Sequence, residues 1–208
     1  VLVRMLADDA RRAAMVADLV HPKWLLMLVR PGLARDDVPL VLEFVGMLLS
    51  TSPSLAQTWT RLGGFRVLER TLPPHWDVPC VLPWMWTLLL GPHAPKSSLY
   101  HTFAHATAVA HPQALRVIVQ CMAHGMMACR TAPAKRRASL PHIPAPPPGL
   151  TALEDSVRLL VVHSHNEDVR ALLMLAPTLV AVLRATAPCF VDEPCGPRVC
   201  ALCDALVD

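Results

Sequence analysis

Two stretches of the chain that lie 40 positions apart are built alike. Residues 37–49 read Asp-Val-Pro-Leu-Val-Leu-Glu-Phe-Val-Gly-Met-Leu-Leu, and residues 77–89 read Asp-Val-Pro-Cys-Val-Leu-Pro-Trp-Met-Trp-Thr-Leu-Leu. Seven of the thirteen aligned positions are identical, and Phe44 stands opposite Trp84 as an aromatic match. The shared Asp-Val-Pro start favours an internal repeat over chance likeness between two apolar helices. A looser third copy relates the region after residue 48 to the region after residue 161.

Apolar residues recur at three- and four-residue spacing along most of the chain, which is the pattern of a helix with one buried face. Caps and breaks mark the ends of these segments, such as Ser52-Pro53 at a start and Gly63-Gly64 at a stop. No stretch alternates apolar and polar residues convincingly in the manner of a strand. The predicted helices cover about residues 9–19, 22–29, 38–49, 53–62, 65–72, 78–90, 99–110, 113–129, 153–162, 167–175, 178–186 and 198–207.

A period of about 40 residues with two or three helices in each unit is typical of armadillo and HEAT arrays. One such unit cannot bury its apolar face alone, so neighbouring units stack and share a continuous core. The sequence therefore predicts an all-α fold, an armadillo/HEAT-like α-solenoid of stacked antiparallel helices. Both ends of the chain, 1–6 and 201–207, read as apolar helix, so we expect a fragment of a longer array.

A proline-rich segment divides the predicted array. Residues 130–149 contain six prolines, which disfavour helix and favour extended, solvated chain. We therefore expect a helical-repeat segment at 1–129, a basic linker or loop at 130–149 that is disordered, and a C-terminal helical-repeat segment at 150–208. The C-terminal segment is expected to stack on the first one.

The linker contains a candidate phosphorylation site. Lys135, Arg136 and Arg137 precede Ser139, and two arginines placed two and three residues before a serine suit basophilic kinases. A phosphate would add nearly two negative charges beside three positive ones, enough to change a loop or partner contact. The alternative interpretation is a basic patch that only keeps the linker soluble.

Composition excludes several classes of function. The net charge of +3 and a single tyrosine argue against nucleic-acid binding, which needs a basic surface or stacking aromatics. No run of about 18 apolar residues predicts a membrane span. The opening residues lack the features of a signal peptide. Seven cysteines at irregular spacing are read as mostly reduced, buried thiols, which indicates a cytoplasmic protein.

Thiols are densest near the C-terminal end, where a zinc site is one interpretation. Four thiolates can hold Zn²⁺ tetrahedrally, and the last two cysteines have the spacing of a ligand pair. The other interpretation is a set of buried thiols on apolar helices, which we favour because only one such pair is present. The candidate ligands are Cys189, Cys195, Cys200 and Cys203.

Catalytic motifs are absent from the sequence. His101 and His105 lie four residues apart on a predicted helix and could bind a metal, but Thr102 stands where zinc proteases have glutamate. No nucleophile elbow, phosphate-binding loop or dinucleotide fingerprint is present. We therefore predict a non-enzyme without a cofactor, and keep a helical enzyme that uses His101 and His105 as a minor hypothesis.

Tryptophans supply the candidate partner contacts. Trp84 and Trp86 are two residues apart, so they cannot share one helix face. Trp84 aligns with Phe44 and is predicted to point into the core. Trp86 aligns with Gly46 and adds bulk there, so Trp86 is the candidate for a seam between repeats or a partner contact, with Trp76 as a second candidate contact. The alternative interpretation is that Trp84 and Trp86 are both packed inside the protein.

The chain resembles the armadillo-like helical region of large BEACH-domain proteins, in the branch that combines BEACH, WD-repeat and FYVE-type modules. The resemblance covers roughly residues 15–95 and depends on leucine-rich helix ends and glycine breaks: His-Pro-Lys-Trp-Leu-Leu at 21–26, Leu-Leu at 48–49, Gly-Gly-Phe-Arg-Val-Leu at 63–68, Leu-Pro-Pro-His at 72–75 and Leu-Leu-Leu-Gly at 88–91. It implies a large cytosolic scaffold in vesicle traffic or selective autophagy, without catalytic residues in this region. The proline-rich segment and the tryptophans match no pattern of that family.

The sequence thus predicts a non-catalytic scaffold segment that binds other proteins, or other domains of the same large chain. We expect it in the cytoplasm, peripheral to endomembranes, with membrane association only indirect. The alternative from another class is a small helical regulatory domain stabilised by zinc at the C-terminal cysteines.

Overall fold

Ten α-helices are present in the described residues, 10–131 and 148–174, of a computed structural model. Two 3-10 turns accompany them, Arg35–Asp37 and Pro73–His75. This part of the chain contains no strand, so the prediction of an all-α fold is confirmed for it. The helices are α1 Ala10–Leu19, α2 Pro22–Leu28, α3 Val38–Thr51, α4 Pro53–Arg61, α5 Gly64–Thr71, α6 Val81–Leu90, α7 Leu99–Phe103, α8 Ala114–Thr131, α9 Pro148–His163 and α10 Glu167–Leu173.

Most helix ends agree with the prediction, with two informative exceptions. Helix α7 ends at Phe103 instead of continuing to residue 110. Helix α9 starts at Pro148, and α8 runs to Thr131, so both ends of the predicted linker are helical. Proline suits the first turn of a helix because its missing N–H has no partner there anyway. The predicted helices 178–186 and 198–207 lie outside the described residues.

Polar side chains cap three helix starts at corresponding junctions. Ser52 accepts a hydrogen bond from the Leu55 amide at the start of α4, at 3.3 Å. Ser98 does the same for His101 in α7, at 3.2 Å, and Asn166 accepts from the Val169 amide in α10, at 3.4 Å. Each cap satisfies an amide that has no partner within its own helix. These caps therefore fix where the next helix begins: α4 after α3, α7 after the segment that follows α6, and α10 after α9.

The repeated stretches occupy neighbouring helices in one row. Helix α3 packs against α6, and α6 packs against α9. The buried positions of α3 recur in the second copy at an offset of 40, as pairs with both members at most 6% exposed: Val38 and Val78, Leu42 and Leu82, Val45 and Met85, Leu48 and Leu88, and Leu49 and Leu89. The two copies thus bury the same face of the same pattern.

Both tryptophans of the second copy are packed, as the alternative interpretation predicted. Trp86 is fully buried, so its assignment as a partner contact is wrong, whereas Trp84 is partly buried and packs against the core. Trp84 lies over Gly46, where an added Cβ would overlap the indole ring. Trp86 points towards α9 instead, so in both copies this position faces the next helix of the row. Trp76, 7% exposed, packs over Gly125 and is no surface contact either.

Polar groups join α6 to α9 inside the core. The Trp86 indole N–H donates to the Ser156 hydroxyl at 3.0 Å, and that hydroxyl donates to the Ala152 carbonyl at 2.7 Å. His163, 3% exposed, donates from Nε2 to the Phe103 carbonyl at 3.1 Å. Burial lowers the pKa of His163, which keeps the ring neutral near pH 7. His163, which ends α9, therefore caps the end of α7.

No single helix in the described residues is long and apolar enough to cross a membrane. One adjacent pair, Arg35–Thr51 with Pro53–Arg61, meets the length and hydropathy test together, but is bent by 115° at the break.

Candidate protein-binding groove

A groove of about 780 Å³ lies where the ends of the two repeated helices meet. Residues of the segments 49–61, 87–92 and 110–113 line it. They come from the end of α3, from α4, from the end of α6, and from the approach to α8. The groove is thus a product of the packing between successive copies, and neither copy forms it alone.

Leu49 and Leu88 form the apolar floor, and each contributes from a different copy of the repeat. Both are 3% exposed, so the floor is firmly part of the core. Ala56 extends this floor from α4, and its short side chain leaves room above the floor. Because Leu49 and Leu88 are already packed in the core, little ordering of these side chains is needed when a ligand binds along the floor.

The third side of the groove is held in place by backbone hydrogen bonds. Helix α6 is followed by Gly91, which has a φ of 85°. Glycine adopts this angle readily, whereas residues with a side chain are strained there. The Leu89 carbonyl, left free by this end, accepts from the Ala110 amide at 2.7 Å and the His111 amide at 3.3 Å. The same hydrogen bonds explain why α7 cannot continue to residue 110: its chain is diverted to cap α6.

Ring packing fixes His111 at the groove wall. Its imidazole lies 5.9 Å from the Phe65 ring, centroid to centroid. Burial lowers the pKa of His111, so this side chain is neutral near pH 7. A neutral imidazole at the wall offers hydrogen bonding without a charge.

Two amide side chains in the groove are available to a ligand. Gln57 and Gln113 are exposed and make no hydrogen bond within the described part of the chain. Thr60 and Thr87, by contrast, donate their hydroxyl hydrogens to carbonyls of their own helices, at 2.8 and 3.0 Å. Each hydroxyl keeps free lone pairs and can only accept further. The glutamines therefore supply two free amide donors, in addition to the guanidinium of Arg61.

Charge in the groove has one sign. Arg61 supplies the one full charge among its described lining residues, and no aspartate or glutamate lines it. Arg61 is exposed, so its charge is screened by water and salt. The groove thus combines an apolar floor, two free amides, hydroxyl acceptors and a single cation. That chemistry fits binding and offers no nucleophile paired with a base.

The sites predicted from sequence do not meet at this groove. The candidate zinc ligands Cys189, Cys195, Cys200 and Cys203 and the candidate phosphorylation site Ser139 all lie outside the described residues. His101 and His105 are both exposed, and α7 ends between them, so they do not share a helix face. No group of three metal-binding side chains is present in residues 10–131 and 148–174.

Sequence reasoning missed the groove. Its glutamines carry no motif, and the one usable signal was the Ser52-Pro53 cap, which shows where the chain turns between copies. No protein-family model, curated protein or solved structure matches the chain. The residues of the groove therefore have to support the functional argument by themselves.

Proposed function

We propose that the chain is a non-catalytic helical-repeat scaffold whose groove binds an extended segment of another protein. The observation that supports this most is the origin of the groove floor, with Leu49 and Leu88 supplied by two copies of one repeat. In repeat proteins, such surfaces between units are the usual binding surfaces. Any further unit would lengthen the surface without new chemistry.

Helix packing supports an armadillo/HEAT-like α-solenoid of stacked antiparallel helices. We group α1–α3, α4–α6 and α7–α9 as three units. Successive units are joined alike, since α3 meets α4 as α6 meets α7. Within the first and third units the first helix packs on the third, since α1 meets α3 as α7 meets α9. The third helices, α3, α6 and α9, contact one another in order. Helix α10 then stands where a fourth unit would begin.

The free side chains of the groove suit a peptide backbone. An extended peptide presents unpaired N–H and C=O groups along its length. Each glutamine amide can donate to a carbonyl and accept from an N–H, and the threonine hydroxyls can accept. Side chains of the peptide would meet the floor at Leu49 and Leu88. No step of this binding requires a cofactor or a metal.

The cellular setting of the proposal comes from the resemblance to BEACH-domain proteins. On that basis the scaffold acts in the cytoplasm, in membrane traffic or selective autophagy, and its partners are other proteins or other domains of a larger chain. The charge of the groove adds one property: partners with a carboxylate near Arg61 are favoured over partners with a cation there.

Selection from a phage-displayed library of random peptides tests the proposed function. We expect the full 208-residue chain to enrich linear peptides. The double variant Gln57→Ala/Gln113→Ala should bind them about thirtyfold more weakly, since two hydrogen bonds of about 1 kcal/mol each are lost. Gln120→Ala, a glutamine outside the groove, is the matched control and should bind normally.

Two results would overturn this proposal. One is enrichment of no peptide above background. The other is enrichment of peptides that bind the groove variant and the control variant equally well.

A further inference from the structure

The stretches of chain that form the groove carry positive charge and no negative charge. The lining segments 49–61, 87–92 and 110–113 contain Arg61 and no aspartate or glutamate. The five residues on either side of each segment add Arg66, Lys96 and Arg116, and again no carboxylate. The sign of the charge along these stretches therefore does not depend on where each one is cut.

Three of these four cations have no carboxylate partner within the described residues. Arg116 is the exception, since its guanidinium lies 3.1 Å from a carboxylate oxygen of Glu69. Arg61, Arg66 and Lys96 are exposed, and the ion pairs of the described chain are formed by other residues. Their charge is thus available to a ligand, and Arg61 is the one of the three that lines the groove.

The helix ends at the groove leave this sign unchanged. Helices α3 and α6 end there, and their last carbonyls carry partial negative charge. Helices α4 and α8 begin there, and their first amides carry partial positive charge. Two ends of each sign meet, so the full charge of Arg61 decides which ligand charge the groove favours.

Arg61 stands in line with one of the free amides of the groove. Gln57 and Arg61 both line the groove from α4 and are four residues apart, so they lie on one face of the helix. One turn of helix separates them, about 5.4 Å along the axis. An extended peptide advances about 6.6–6.8 Å over two residues. A peptide whose backbone is bonded to Gln57 therefore brings a side chain one or two residues further on within reach of the guanidinium.

We propose, on the basis of the proposed function, that the groove selects acidic segments, in which Arg61 binds an aspartate or glutamate one or two residues along from the backbone group bound by Gln57. A guanidinium can donate two parallel hydrogen bonds to one carboxylate, whereas it repels a lysine or arginine of the peptide. The bound peptide also covers Arg61, so water and salt screen the pair less than they screen the free side chain. Arg61 is thus the residue that determines the specificity of the groove.

Selection from the random-peptide library with a charge-reversed variant tests the role of Arg61. We expect the full wild-type chain to enrich aspartate or glutamate at one position of the selected peptides. Arg61→Glu should enrich lysine or arginine at that position instead. Arg30→Glu reverses the charge of an exposed arginine outside the groove, so it is the matched control and should keep the acidic preference.

A change in the peptide gives a second measurement that needs no protein variant. Replacing the acidic residue of a selected peptide by its amide should weaken binding to the wild-type chain about threefold to fivefold, as expected for an exposed charge pair. Selected peptides without an acidic position, or an acidic preference that survives Arg61→Glu, would overturn this proposal and leave the groove as a peptide site. Failure to enrich any peptide would overturn the proposed function, and this proposal with it.

Discussion

Tryptophan packed on glycine recurs at three places in the described residues: Trp84 on Gly46, Trp59 on Gly64 and Trp76 on Gly125. In each case an added Cβ would overlap the indole. The glycines therefore serve to let a helix approach a large flat side chain, and the pairs join separate helices in two of the three cases. Such pairs fix which helices are neighbours, because a small residue and a large one are complementary only in the correct arrangement.

Replacement of Gly46 by alanine tests this packing. We expect Gly46→Ala to lower the free energy of unfolding by about 1–3 kcal/mol, since Trp84 has to shift to accommodate the methyl group. Chemical denaturation followed by circular dichroism measures it. In the background of Trp84→Leu the same substitution should cost clearly less, and equal costs in the two backgrounds would contradict a direct contact.

Histidine burial predicts that stability falls with acid. The folded pKa of His163 is lowered by burial, so the unfolded chain binds its proton first as the pH falls. The stability from this group is complete above the unfolded pKa of about 6.5 and is lost as the pH falls towards the folded pKa. Burial lowers the pKa values of His75 and His111 as well, which acts in the same direction.

His163→Gln separates titration from hydrogen bonding, since glutamine keeps an N–H for the Phe103 carbonyl. We expect the variant to lose less stability than the wild-type chain between about pH 7 and pH 5. Denaturant midpoints measured across that range provide the comparison. An identical pH dependence in the two proteins would show that His163 does not titrate with folding.

At the scale of helices, one buried polar junction holds α9 against α6. The Ser156 hydroxyl is the only described acceptor for the indole N–H of Trp86, and the Trp86 side chain is fully buried. Leaving a buried donor without an acceptor lowers the free energy of unfolding by more than one formed hydrogen bond typically adds to it. The junction therefore contributes orientation as well as stability.

Ser156→Ala should lower the free energy of unfolding by about 1–3 kcal/mol, because it leaves the Trp86 N–H unsatisfied. In the background of Trp86→Phe, which has no N–H to satisfy, the same serine substitution should cost less. A thermodynamic cycle by chemical denaturation gives the difference. Additive costs would indicate that the two side chains do not interact.

The positions of the helices could be predicted from the sequence, but the residue at which a helix ends could not always be predicted. The apolar spacing and the Ser52 cap predicted α3 and α4 closely, since both signals are local. The end of α7 depends on a carbonyl of α6, which no local pattern reveals. The full burial of Trp86 has the same cause: burial depends on which helix lies opposite, and the packing of α9 on α6 is a long-range property.

At the scale of the whole molecule, the chain presents two different surfaces. The groove between repeat copies is mixed in polarity, and no carboxylate is among its described lining residues. The second surface carries five exposed large apolar side chains on α1 and α2: Met15, Leu19, Trp24, Met27 and Leu28. The groove could not be predicted from sequence, since Gln57 and Gln113 lie far apart in the chain and only packing brings them together. The exposure of these apolar side chains could be assigned only once the packed sides of α1 and α2 were known.

Titration of ¹⁵N-labelled chain with a selected peptide tests most directly whether the groove is the binding site. The chain has only three glutamines and one asparagine, so its side-chain amide signals are few enough to assign. We predict that the signals of Gln57 and Gln113 shift on binding, together with backbone amides of 50–61 and 110–113, while those of Gln120 and α1 stay unchanged. Shifts confined to α1 and α2, or a bound peptide that leaves the signals of both groove glutamines unchanged, would contradict the account.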